Sequence, residues 1–271
     1  MNARLLIIDP QNDFCDIPGA ALPVSGADAD MQRLAQFMTA ASERLTDIMI
    51  TLDSHPGVAI ERTTFWKNAN GEAVAPFTPI TEADVRAGRF APRDDQRLDQ
   101  VIEYLHALEA AGRYRLMVWP VHCVVGTWGH NIHSALLAPL TAWERRVQRG
   151  VFTVMKGMNP MTEQYSAVRA EVPVMDDPRT QTNHELIERV LPGDALTLVA
   201  GEASSHCVAA TLEHLFQEIT PRDCQHFVIL RDCMSAVAGF ETQADAFFAH
   251  ATALGARVMT AAQAQELLTQ S

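Results

Sequence analysis

The stretch Leu196–Leu215, LTLVAGEASSHCVAATLEHL, constrains the fold more than any other part of the chain. Leu196 to Ala200 is an apolar run short enough for a buried strand. A turn of mostly small residues, Gly201 to Ser205, follows. Cys207 then opens an amphipathic stretch with Val208, Leu212 and Leu215 at helical spacing. This order puts a thiol at a helix N-terminus, above the carboxyl end of a strand. The helix dipole and free N–H groups favour a thiolate there, and open α/β sheets place ligand crevices at that edge. The competing reading of Cys207 alone is a buried structural thiol, a common fate of cysteine.

The rest of the chain repeats the strand-then-helix pattern. Arg4 to Asp9, RLLIID, reads as a buried strand stopped by Pro10. Ala27 to Leu45 carries Met31, Leu34, Phe37 and Met38 at helical spacing, and Asp47 to Leu52 reads as a second strand delivering Asp53. A helical crossover between two strands implies parallel pairing. Further strands are expected over Gly150–Met155, ending at Lys156, and over Gln225–Leu230 and Arg257–Met259. Helices are expected over 184–191 (capped by Asn183), from Cys207, over about 240–254 and from Ala261, with a short one near 162–170. Residues 142–149 read as a helix or an edge segment. The pattern predicts an α/β fold, a parallel sheet with helices on both faces. Residues 56–118 are broken by Pro56, Pro76, Pro79 and Pro92 around a helix at 96–111 and a short strand at 115–118. They read as an insertion over the sheet edge.

With 271 residues, a net charge of -12 and no basic run, the chain has no footprint for nucleic acid or an anionic membrane. Five widely spaced cysteines, none in a CxxC, form no disulfide framework and no zinc knuckle. No apolar run approaches a membrane span and no secretory leader is evident, so a cytoplasmic protein is expected.

Asp9, Lys156 and Cys207 all fall at carboxyl ends of predicted strands. If those strands are neighbours, the carboxylate can accept the thiol proton, and the lysine would depress the thiol's pKa. Taken singly, Asp9 is a cap or a loop ion pair and Lys156 a solvated lysine. Asp53 and His55, at i and i+2 on an extended segment, can ligate one ion together. With His122 they make two imidazoles and a carboxylate, a set that suits zinc, iron or manganese. The alternative is a turn-capping Asp53 and a surface His55.

Five blocks occur in order: LLIIDPQNDF (5–14), TLDSHP (51–56), WPVHCVVGT (119–127), MKG (155–157) and VAGEASSHCVAAT (199–211). In this the chain resembles the nicotinamidase/pyrazinamidase branch of the isochorismatase-like cysteine hydrolases, which have a three-layer α/β fold. The resemblance implies one cysteine-hydrolase domain over 1–271, with a lid-like or oligomer-contact insertion at about 61–115, in a homo-oligomer. It implies a Cys207–Asp9–Lys156 triad and one divalent metal, zinc first, on Asp53, His55 and His122, with Glu61 as a further ligand. It implies an oxyanion hole from the N–H groups of Ala203 and Cys207 after a cis Glu202–Ala203 peptide, and Phe14 and Trp119 about the substrate ring. The implied reaction converts nicotinamide to nicotinate and ammonia through a thioester. Another small amide or carbamoyl compound is the alternative substrate, and a non-catalytic scaffold the alternative class.

Three departures stand out. The span from His55 to His122 is longer than in compact nicotinamidases. ASSHCV replaces the usual A-T-D-x-C-V, and Glu202 stands where an apolar residue is usual. His130 and His133 are expected at the surface or as helix caps, and Phe65 and Trp66 as core beneath the insertion.

Overall fold

The computed structural model describes residues 2–191 and 195–270. Its strands are β1 (Ala3–Ile8), β2 (Leu45–Asp53), β3 (Trp66–Asn68), β4 (Thr78–Ile80), β5 (Phe90–Pro92), β6 (Leu116–Val118), β7 (Phe152–Lys156), β8 (Leu196–Gly201), β9 (Phe227–Leu230) and β10 (Arg257–Met259). Six form one sheet in the order β10-β9-β8-β1-β2-β7, parallel throughout. The α/β class and parallel sheet expected from the sequence are therefore found.

Strand alternation sorts the apolar residues onto the two faces. Leu6, Ile8, Met49, Val199, Phe227 and Ile229 pack with Val208, Leu212 and Leu215 of the helix Cys207–Glu218. Leu5, Ile7, Ile48, Ile50, Leu198 and Val228 face the other way, onto Met31, Leu34 and Phe37 of the helix Ala27–Ala40 and Trp143 of the helix Ser134–Val147. Each such burial is worth about 1.5–3 kcal/mol. The chain leaves β1 toward β2 across one face and β8 toward β9 across the other. The reversal falls between β1 and β8, and a crevice opens beyond their carboxyl ends.

Several boundaries differ from expectation. The first helix stops at Ala40, and Leu45 already pairs with Ala3 as the start of β2. The segment read as ambiguous at 142–149 belongs to a helix that begins at Ser134 and carries Pro139 inside it, which hid its first half. No helix forms near 162–170, because the Glu163 and Ala167 N–H groups donate to Tyr104 Oη and Thr211 Oγ1 instead of to a preceding turn. Within 56–118, β3 pairs with β5 and β4 with β6, both antiparallel and outside the main sheet. They enclose a cluster of their own that includes Ile60, Phe65, Trp66, Ile80, Val101, Leu105 and Val118. No helix among the described residues is long and apolar enough to cross a membrane.

Leu198, fully buried at the centre of β8, tests this account. Leu198→Ala is expected to lower unfolding free energy by about 2–5 kcal/mol, read as a lower urea midpoint with an unchanged slope.

Candidate active site

Asp9 leaves β1 with φ 45°, which turns its side chain out of the strand line. Thr51 of β2 holds it: the Asp9 N–H donates to the Thr51 carbonyl at 3.1 Å, and Thr51 Oγ1 donates to Asp9 Oδ1 at 2.5 Å. Lys156 ends β7 directly opposite Asp53 of β2. Its Nζ is fully buried, 2.8 Å from both Asp9 Oδ2 and Asp53 Oδ1 and 3.5 Å from Cys207 Sγ. Burial disfavours the ammonium, but the Asp53 and Asp9 carboxylates outweigh it and hold Lys156 charged. Asp9, Lys156 and Cys207 are thus brought together at one sheet edge.

The thiol corrects one sequence expectation. Cys207 opens its helix as anticipated, yet its pKa is raised, not depressed. Burial is the largest cause, Lys156 pulls the other way, and Asp9 and Asp53 add to the rise. The rise favours the thiol form of Cys207, with Lys156 Nζ 3.5 Å from its sulfur and 2.8 Å from Asp9 Oδ2. Burial likewise raises Asp9 above an ordinary aspartate, against the pull of Lys156, which makes it a better proton acceptor.

Beside this group lie Asp53, His55 and His122, all buried. Asp53 Oδ2 is 2.8 Å from His55 Nε2 and 3.2 Å from His122 Nε2, and the three donor atoms lie within 4.8 Å of one another. One ion at about 2.0–2.2 Å from each donor fits that spacing. His122 Nδ1 sits between the Pro120 carbonyl at 2.8 Å and Arg62 Nη1 at 3.0 Å, and its Nε2 faces Asp53. Glu61 is placed differently from the expectation of a further ligand. Its Oε1 lies 3.0 Å from His55 Nδ1, the ring nitrogen away from Asp53, and 3.0 Å from Arg62 Nε. That is where a carboxylate orients a ligating imidazole. Burial opposes a charged His55, but Asp53 and Glu61 together lift it to about 9; burial and Arg62 lower His122 to about 4.

A cavity opens above Cys207. Phe14 and Trp119 line it with Leu22, Asp53, His122, Glu163, Tyr165, Ala203, His206 and Val237. Phe14 lies against His122 with ring centroids 5.3 Å apart, and Trp119 Nε1 donates to Tyr165 Oη at 3.0 Å. Leu22, Glu163, Tyr165, His206 and Val237 carried no sequence signal, since they sit in loops without periodicity. His133 caps the helix at Ser134, and His130 is buried against Ser54 Oγ at 2.8 Å.

Two glycines make the close approaches possible. A Cβ on Gly201 would fall 1.9 Å from the Ile8 carbonyl oxygen, and one on Gly157 would fall 2.5 Å from His55 Cε1. The Glu202–Ala203 peptide is cis. Neither the Ala203 nor the Cys207 N–H forms a backbone hydrogen bond among the described residues.

No family model matches the sequence. The nicotinamidase of Saccharomyces cerevisiae is 26% identical over 207 residues, 76% of this chain and 78% of that protein. A solved nicotinamidase/pyrazinamidase from Acinetobacter baumanii superposes with a TM-score of 0.61 at 19% identity, covering 97% of each chain. A zinc complex of the pyrazinamidase of Pyrococcus horikoshii gives 0.55 at 17% identity, covering 96% of this chain and 99% of that one. The fold is thus that of the isochorismatase-like α/β proteins, a parallel six-stranded sheet flanked by helices. Within that class the similarity is to the nicotinamidase/pyrazinamidase branch, and these relatives indicate an amide-hydrolysing hydrolase.

Gly157→Ala is expected to push the His55 ring aside and weaken divalent-metal binding about 10–100-fold. Competition with a chromophoric chelator measures this, and circular dichroism checks that the fold persists.

Proposed function

We propose that the chain is a metal-dependent amidohydrolase that converts nicotinamide, or a closely related small amide, to the acid and ammonia through a thioester on Cys207. The observation that carries this reading is a buried thiol within reach of both a carboxylate and an ammonium, at the floor of an aromatic-walled cavity. In this mechanism Asp9 takes the Cys207 proton as Sγ attacks the amide carbonyl carbon. Lys156 keeps its own proton, and its charge balances the thiolate as it forms. The carbonyl oxygen turns toward the free N–H groups of Ala203 and Cys207, a type of stabilisation worth about 3–4 kcal/mol. Asp9 then returns the proton to the leaving nitrogen, the C–N bond breaks and ammonia departs. Water next attacks the thioester carbonyl, giving its proton to Asp9; the C–S bond breaks, and Asp9 passes that proton to the departing sulfur, which restores the thiol and the carboxylate.

Phe14 and Trp119 hold a planar ring above the thiol. Asp53, His55 and His122 would hold a divalent ion, zinc first, with Glu61 orienting His55. Such an ion supplies a Lewis acid at the cavity wall for a ring nitrogen or a water. The zinc complex among the similar structures supports that choice.

Ammonia release from a panel of small amides tests the reading. Wild type should turn over nicotinamide, and Cys207→Ala should lose at least about 1000-fold in kcat. Turnover of another amide but not nicotinamide would overturn the substrate, and activity surviving in Cys207→Ala would overturn the mechanism. Chelation followed by dialysis should abolish turnover of the wild type, with zinc restoring it; Asp53→Asn should bind zinc at least about tenfold more weakly.

A further inference from the structure

Glu202 carries a carboxyl group into the turn between β8 and the Cys207 helix, and it is fully buried. Its Oε2 accepts the Ser235 N–H at 3.0 Å, while Oε1 finds no donor among the described residues. Beside it is a second carboxyl, Asp30 of the helix Ala27–Ala40, and one serine holds both: the Ser235 N–H goes to Glu202 and its hydroxyl to Asp30. Two buried carboxylates held on one serine repel each other and are poorly solvated, which favours a proton on one of them. Asp30 already accepts from Ser235 Oγ at 2.5 Å and from Arg33 Nη1 at 2.9 Å, which suits it to be the charged partner. A proton on Glu202 Oε1, donated to Asp30, satisfies the orphan oxygen.

Ser235 joins the parts. Its N–H goes to Glu202, its hydroxyl to Asp30, and its carbonyl accepts the Ser204 N–H at 2.8 Å. The neighbouring Val237 N–H donates to Ser205 Oγ at 3.1 Å, and Val237 lines the cavity. The segment 233–237 is thereby stitched along the turn that contains Ala203.

We propose that Glu202 is a positioning residue of the oxyanion hole: as a neutral carboxylic acid it bridges Asp30 and Ser235 and so fixes the turn that presents the Ala203 and Cys207 N–H groups. This rests on the reading of Cys207 as an acyl-forming nucleophile. The other groups about Glu202 are Asp16 and Cys15 from the loop after β1 and Cys233 from the segment after β9, with Arg33 on the far side of Asp30. Burial is the main cause that raises Glu202, and Asp30 and Asp16 add to it; only Ser235 opposes. The group whose pKa is raised in the folded protein stays protonated through neutrality and ionises on the alkaline side, placing two like charges face to face. Stability and hole geometry are then lost as pH rises toward that pKa, not as it falls.

The test compares wild type, Glu202→Gln and Glu202→Leu on whichever amide the wild type hydrolyses. Gln can donate to Asp30 and accept from Ser235 without titrating. Glu202→Gln should keep kcat at neutral pH within about threefold and lose an alkaline decline that wild type shows. Glu202→Leu should lose at least about tenfold in kcat with KM within twofold. An infrared carbonyl stretch of a protonated carboxyl, present in wild type at pH 7 and absent in Glu202→Gln, reads the proton without any turnover. That band separates a failure here from a failure of the amidase reading. Identical pH profiles for wild type and Glu202→Gln, no such band, or an unchanged kcat in Glu202→Leu would each overturn the proposal. If Glu202→Leu fails to fold, the pH profile and the infrared band of Glu202→Gln decide it.

Discussion

The buried ammonium of Lys156 is the interaction on which the rest of the site depends. It lies between Asp9 and Asp53 at 2.8 Å from each, and with Thr51 it lets two carboxylates exist in a solvent-free edge. An isolated buried charge of this kind is expensive, and removing one partner of a buried pair commonly costs about 3–5 kcal/mol. The lysine also joins two assemblies. One of its carboxylates faces the thiol and the other faces the two imidazoles. Nucleophile and donor set therefore form one electrostatic unit, and neither can be rearranged without the other.

Parallel register supplies this economy. Asp53 and Lys156 are direct partners across β2 and β7, and Asp9 follows Ile8, which pairs with Gly201 across β1 and β8. Four adjacent strands each end on a functional residue or on the turn that presents one. The two glycines at these ends let backbone and imidazole approach more closely than any side chain would permit.

What was legible in the sequence follows from this. Asp9, Asp53, Lys156 and Cys207 were readable because strand ends are readable from hydrophobic runs. The convergence of Asp53, His55 and His122 needed only that His122 fold back over the same edge. The sign of the Cys207 shift was not legible: a helix terminus predicts depression, while burial and neighbouring carboxylates are tertiary facts that reverse it. Glu61 illustrates the same limit. Its spacing from His55 was visible, but not which imidazole nitrogen it would meet. Tyr165, His206 and Val237 reach the cavity from loops set by contacts distant in the chain, such as Ser205 with Val237. Pro139 hid half a helix because its penalty dominates any local reading.

The segment 56–118 has one further consequence. Trp119 follows β6, which pairs with β4 outside the main sheet, and its N–H donates to the Glu61 carbonyl at 2.7 Å. Arg62 reaches the His122 carbonyl from the same segment at 2.6 Å. The thiol, carboxylate and ammonium hang from the parallel sheet, while Trp119 and His122 of the cavity wall are tied to a small antiparallel scaffold with its own core. Floor and wall thus rest on separate foundations. Substitutions in that second scaffold away from Glu61 and Arg62 can shift Trp119, and with it the set of molecules that fit, while the sheet-borne thiol, carboxylate and ammonium stay in place.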